Sequence, residues 1–113
     1  MISTGYAAPF HITQPSADND VQIVSPTASM ATLTCSLNIT IPFNMFITWD
    51  HNGYIATTAS NKNAIQTSHS TTLLIENPQS SDAGLYCCTF NNAVNDGWVL
   101  RRYIRLLFTS MFL

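Results

Sequence analysis

The stretch Asp82-Ala83-Gly84-Leu85-Tyr86-Cys87-Cys88 leaves the backbone few options. Gly84 suits a tight corner where a side chain would be in the way. Tyr86 stands two residues before Cys88, close enough for its hydroxyl to bond back to the backbone of that corner. Asp82 can accept hydrogen bonds from turn amides or from a basic side chain. Beyond the corner the chain reads as a strand from Gly84 to Phe90, with Tyr86, Cys88 and Phe90 on the inward face and Leu85 and Cys87 on the outward one.

Other short strands with turn signals between them fill the rest of the chain, which predicts an all-β sandwich or barrel. Met30 to Leu37 alternates cleanly, with Ala31, Leu33, Cys35 and Leu37 on one face and Thr32, Thr34 and Ser36 on the other. Asn44 to Asp50 is a strand in which the parity that buries Trp49 also buries Met45 and Ile47. That parity turns Phe46, Thr48 and Asp50 outward. His51-Asn52-Gly53 follows, and Asn-Gly is a strong hairpin signal because both residues tolerate φ > 0. Tyr54 to Thr57 is the return strand. Asn61-Lys62-Asn63 reads as polar loop, leading to a short strand near Ala64 to Ser68. Ser70 to Glu76 is a strand with Leu73 and Ile75 inward, and Asn77 to Ser81 crosses between sheets, with Pro78 covering the floor of the core. Trp98 to Phe108 is the last strand, with Leu100, Ile104, Leu106 and Phe108 sharing one parity. Upstream, Pro9 and Pro15 mark residues 1–20 as a loose lead-in and irregular edge strand, and Val21 to Val24 is an edge piece able to pair with the end of the chain.

Cys35, Trp49, Asn52-Gly53, Leu73, Ile75, Asp82, Gly84, Tyr86 and Cys88 together resemble the framework of immunoglobulin superfamily domains, from about residue 20 to residue 108. The resemblance implies a two-sheet Greek-key sandwich with an inter-sheet disulfide Cys35–Cys88 and Trp49, fourteen residues after Cys35, packed against it. Tyr86 would form the tyrosine corner. The interval of 53 residues between Cys35 and Cys88 is short for a variable-type domain. The deficit falls after Trp49, so an intermediate-type or trimmed variable-type sandwich without the C″ strand is expected. Two departures from the family pattern stand out. Trp98 is followed by Val99-Leu100-Arg101 rather than Gly-x-Gly, which disfavours a rearranged antigen-receptor segment. The Arg that usually pairs with the Asp82 position is missing, with Lys62 a weak substitute, which puts the lower salt bridge in doubt. The organisation expected is a lead-in at 1–20, the domain at 21–108 and a tail at 109–113.

Composition bounds the function. Only 9% of the 113 residues are charged, and the net charge of −2 gives no electrostatic reason to expect nucleic-acid binding. Ser, Thr and Asn make up about a third of the chain, favouring a loop-rich extracellular β domain. Three cysteines in a small β domain suggest an oxidising compartment, one pair bridged and one thiol left over. Asn38-Ile39-Thr40 is a glycosylation sequon, or a chance tripeptide in an Asn- and Thr-rich chain. Met1 to Tyr6 lacks the features of a signal peptide, and no run approaches the ~20 apolar residues of a membrane span. A membrane anchor is therefore expected outside this segment.

No enzyme chemistry is expected. His11, His51 and His69 have no metal-ligand spacing, no catalytic motif or phosphate loop is present, and no cofactor is implied. By resemblance, the chain is the extracellular protein-binding module of a cell-surface receptor. It would meet a protein ligand or counter-receptor through the outer face of the strands around Trp49, Tyr86 and Arg101, and through the Asn91–Gly97 loop. The residues assigned to that contact are Phe46, Thr48, Asp50, Leu85, Val94, Asp96, Trp98, Arg101 and Tyr103, with Phe46, Leu85, Cys87 and Tyr103 forming an apolar patch rimmed by charge. Tyr103 turns inward instead if the last strand slips by one residue. Cys87 is either a half-buried, inert thiol or the site of an intermolecular disulfide. Arg101, Arg102 and Arg105, clustered on an edge strand, either meet an acidic partner or discourage edge pairing. The alternatives for the whole chain are a structural or self-associating adhesion module, including a homodimer, and a virus-encoded immune modulator.

Overall fold

The computed structural model describes residues 10–92 and 99–109. The alternation of Met30–Leu37 is realised in strand β3, where Ala31, Leu33, Cys35 and Leu37 are buried. Facing it across the core, β8 (Gly84–Asn91) buries Tyr86, Cys88 and Phe90 completely. The remaining strands are β1 (Ile12–Gln14), β2 (Asp20–Val24), β4 (Phe46–His51), β5 (Tyr54–Ile55), β6 (Lys62–Gln66), β7 (Ser70–Glu76) and β9 (Val99–Phe108). They form a four-stranded sheet in the order β1-β3-β7-β6 and a five-stranded sheet in the order β2-β9-β8-β4-β5. This is the expected immunoglobulin-like sandwich. Only a 3-10 turn at Ala56–Thr58 separates β5 from β6 among the described elements, so the C″ strand is absent as expected. No helix among the described residues is long and apolar enough to cross a membrane.

Cys35 and Cys88 are bridged, with a Cα–Cα separation of 6.6 Å. Trp49 lies opposite Cys88 in the β4–β8 pairing and is 1% exposed. Its indole nitrogen donates to Thr71 Oγ1 at 2.9 Å, and Thr71 is the cross-strand partner of Cys35. The Trp49–Thr71 hydrogen bond therefore joins the two sheets beside the disulfide and satisfies the one polar atom of the buried indole.

The corner folds as its residues dictate. Tyr86 donates its hydroxyl proton to the Asp82 carbonyl at 2.6 Å. Burial first, then the negative charge of Asp82, pushes the Tyr86 phenol well above its ordinary range. Gly84 takes φ +128°, and Asn52 and Gly53 take φ 51° and 88° in the β4–β5 turn, matching a turn with two left-handed residues.

Four expectations need correction. The irregular edge strand expected within residues 1–20 is β1, paired with β3 at the sheet edge with a register shift, but packing starts upstream of residue 21: Phe10 and Ile12 belong to the core. The lower salt bridge does form, because β6 begins at Lys62 rather than at Ala64. That register turns the Lys62 side chain under the domain, where Nζ meets Asp82 Oδ1 at 2.6 Å in a buried pair. The Asp82 carboxylate also accepts from the Gln79 amide at 2.9 Å and from Asn61 Nδ2 at 3.1 Å. Burial alone would raise its pKa; the Lys62 ammonium and these donors outweigh burial and hold it below the ordinary value. The return strand after the Asn-Gly turn is shorter than Tyr54–Thr57, because the chain enters the 3-10 turn at Ala56. Finally, the last strand is an open edge only in part. Val21–Val24 pairs with the end of the chain as expected, β2 running parallel to β9 from Asp20↔Ile104 to Val24↔Phe108, so Arg105 lies within the sheet while Arg101 and Arg102 lie beyond the paired stretch.

Candidate protein-binding face

The outer face of the five-stranded sheet is built by parity. Val24 is buried, so Val21 and Ile23 of β2 point outward, opposite Arg105 and Leu107 of β9. Cys87 of β8 stands between Tyr103 of β9 and Asp50 of β4, and Asp50 in turn opposes Ile55 of β5. Thr89 lies between Arg101 and Thr48, and Asn91 between Val99 and Phe46.

The face is uneven. Its middle is covered by its own side chains: Cys87 and Thr89 are buried, and Leu85, Tyr103 and Asp50 are half-buried. The register puts Tyr103 outward, so the one-residue slip does not occur. Its amide is held by the Asp18 carboxylate at 2.8 Å, just before the β2–β9 pairing begins. Thr48 and Arg101 are exposed, and Phe46 is 67% exposed. Phe46 does not join Leu85 in one patch. It opposes Asn91, six residues along β8 from Leu85, a separation of about 20 Å at strand spacing.

Exposed apolar surface gathers at the other end of the face instead, where Val21, Ile23 and Leu107 are 50%, 59% and 40% exposed and adjacent across β2 and β9. Sequence reasoning missed these three. Val21 to Val24 is too short for its alternation to reveal a buried side, and the outward parity of Leu107, next to the buried Leu106, does not by itself say that it stays uncovered. The pairing of Val21–Val24 with the chain end is expected from the sequence, but the parallel register that sets Val21 and Ile23 beside Leu107 has no local signal.

Cys87 is the unbridged cysteine, and it is buried. Its Sγ lies 3.7 Å from Thr89 Oγ1. Burial pushes the thiol pKa up; Thr89 opposes this, Asp50 adds to it, and Arg101 and Tyr103 pull it back without reversing the direction. An intermolecular disulfide here would require these neighbours to move. The arginines do not cluster on one face. Arg101 and Arg105 point outward, whereas Arg102 has the inward parity and donates Nη2 to the Ile12 carbonyl at 3.0 Å, tying β9 to β1 across the sandwich.

Val94, Asp96 and Trp98 lie outside the described residues. Asn38 is exposed just beyond β3. The histidines stand apart: His51 stacks on Tyr86 with ring centroids 4.1 Å apart and bonds the Ala83 carbonyl, His11 precedes β1, and His69 lies in the β6–β7 turn.

A model of the immunoglobulin domain matches residues 12–92. None of the curated proteins is similar enough in sequence to count as a match. Among solved structures, titin domain M7 aligns with a TM-score of 0.68 at 18% identity, covering 89% of this chain and 94% of that one. Titin M4 aligns with a TM-score of 0.69 at 22% identity, covering 88% and 95%. A complex of titin M10 with an obscurin-like Ig domain aligns with a TM-score of 0.68 at 17% identity, covering 94% and 98%. At these identities the likeness is one of fold.

Proposed function

The chain belongs to the immunoglobulin domain family, and we propose that it is the extracellular protein-binding module of a cell-surface protein, meeting a protein partner through the outer face of its five-stranded sheet. The observation that carries this reading is the contiguous exposed apolar surface of Val21, Ile23 and Leu107, with Phe46 at the far end of the same face. A solvated sheet face ordinarily carries polar residues, and apolar surface bordered by charge, here Arg105 directly opposite Val21, is the composition of a protein contact. The extracellular part is supported by the inter-sheet disulfide, a bond that persists in oxidising compartments. Contact with a partner also has a precedent in fold, since one structural neighbour is a complex of titin M10 with an obscurin-like Ig domain.

The test is a binding screen of the tagged chain against an array of extracellular proteins. Genuine partners lose signal with Ile23→Lys and with Phe46→Arg, and retain it with Ile65→Lys, an exposed apolar residue on β6 of the opposite sheet. Signal that survives both substitutions and falls with Ile65→Lys removes this face from consideration.

A second reading is a structural link in a chain of similar domains. It is favoured by neighbours that are themselves tandem constructions, titin A164-A165 and titin I9-I11. There the apolar surface at Val21, Ile23 and Leu107 would pack on an adjoining domain. A longer chain carrying the flanking sequence would then protect Ile23 and Leu107 from solvent while binding no separate partner.

A further inference from the structure

We propose that Asn38 is an acceptor for an N-linked oligosaccharide. Asn38-Ile39-Thr40 is the one Asn-x-Ser/Thr tripeptide in the sequence, and sequence alone leaves it as plausible by chance as by design. The geometry separates the two. The segment lies in a bend immediately after β3 rather than inside a strand, with Asn38 and Thr40 both exposed. Attachment needs the carboxamide nitrogen in solvent, and the carboxamide here is oriented by a neighbour that can only donate: the His11 amide gives its proton to Asn38 Oδ1 at 2.8 Å. The backbone amide of Asn38 returns a bond to the His11 carbonyl at 3.1 Å. With Oδ1 engaged by the chain before β1 and the residue exposed, Nδ2 is the carboxamide atom left for the transfer. Transfer of the oligosaccharide replaces one N–H of Nδ2 by a bond to the sugar's anomeric carbon as that carbon's bond to the lipid-linked pyrophosphate breaks, the released proton matching the negative charge the pyrophosphate carries away, and it leaves the Oδ1 hydrogen bond intact.

The placement also has a structural use. Asn38 follows β3 of the four-stranded sheet and is bonded to the residue preceding β1, the three-residue strand at that sheet's edge. A bulky hydrated chain rooted there obstructs edge pairing at β1. The proposed partner face belongs to the other sheet and stays clear.

This inference rests on the extracellular reading, but its test is independent of the partner. The full chain is expressed in mammalian cells with a secretion signal attached, and medium and lysate are run on denaturing gels before and after treatment with a glycan-releasing amidase. One glycan-sized mobility shift, removed by the amidase, absent in Asn38→Gln and Thr40→Ala and retained in Thr40→Ser, is the expected result. A wild-type chain whose cysteine count shows the Cys35–Cys88 bridge formed, yet which shows no shift in either fraction, overturns the proposal. So does a shift that persists in both Asn38→Gln and Thr40→Ala. Because the assay supplies the secretory route, such a failure condemns the site alone; failure of the partner reading would show only in the binding screen.

Discussion

Asn52, in the β4–β5 turn, and Gly84, at the start of β8, close the same corner, and the space between them holds no Cβ. An atom built at that position on Gly84 would lie 2.6 Å from Asn52 Oδ1, and Gly84 already sits at φ +128°. The contact is also a bonded one: Asn52 Oδ1 accepts from the Leu85 amide at 3.0 Å, and the Asn52 amide donates to the Leu85 carbonyl at 2.7 Å. Gly84→Ala therefore meets both backbone strain and a steric conflict, and is expected to cost about 2 kcal/mol of stability. Urea unfolding measures it. The double variant Gly84→Ala/Asn52→Gly, with the obstructing side chain gone, is expected to lose less than the sum of its single changes.

The buried Lys62–Asp82 pair gives stability a defined response to acid. The folded-state pKa of Asp82 is lowered from its ordinary value of 3.8, so the stabilisation it supplies is complete above that value and is lost as pH falls through the folded pKa. Lys62→Met leaves a buried carboxylate without its cation and is expected to cost about 3–5 kcal/mol at neutral pH. Burial then acts on Asp82 with less opposition, so acid unfolding of the variant begins at higher pH than in the wild type. Denaturation midpoints measured from pH 7 downward report both effects.

Cys87 is expected to be silent toward thiol reagents in the folded chain. Burial both shields the sulfur and raises its pKa, and thiolate is the reactive form. Titration with a disulfide reagent should find no fast-reacting thiol under native conditions and one in guanidinium without reductant. Cys87→Ser should leave the sedimentation coefficient unchanged.

Thr71→Val removes the acceptor of the Trp49 indole while keeping the volume of the side chain. The buried N–H is then unsatisfied, at an expected cost of about 1–3 kcal/mol. A blue-shift or intensity change in Trp49 fluorescence should accompany the loss of stability; Thr71→Ser, which restores the hydroxyl, should recover most of it.

How far the sequence reached depended on the range of each signal. The corner around Gly84 and Tyr86, the Asn52-Gly53 turn and the faces of β3, β7 and β8 follow from local alternation and special backbone angles, and these were legible. The role of Lys62 was not, because its direction depends on where β6 begins, and one strand boundary decides whether the ammonium lies in solvent or under the core. The Trp49–Thr71 bond joins strands of different sheets, so no spacing announces it. The same holds for the surface of Val21, Ile23 and Leu107, which exists only because β2 runs parallel to β9. Phe46 was correctly turned outward by the parity of Trp49, yet its distance from Leu85 required the β4–β8 register.

The adjacency of Cys87 and Cys88 sets a selection problem during oxidation. Either sulfur could reach Cys35 in a loose chain, but successive residues of a strand face opposite ways. A Cys35–Cys87 isomer would have to turn β8 over, carrying Tyr86 and Phe90 into water and Leu85 inward. Native packing thus acts as the proofreader of the bridge: the wrong isomer forfeits the aromatic interior, and only the right one leaves the spare sulfur shut away where it cannot exchange.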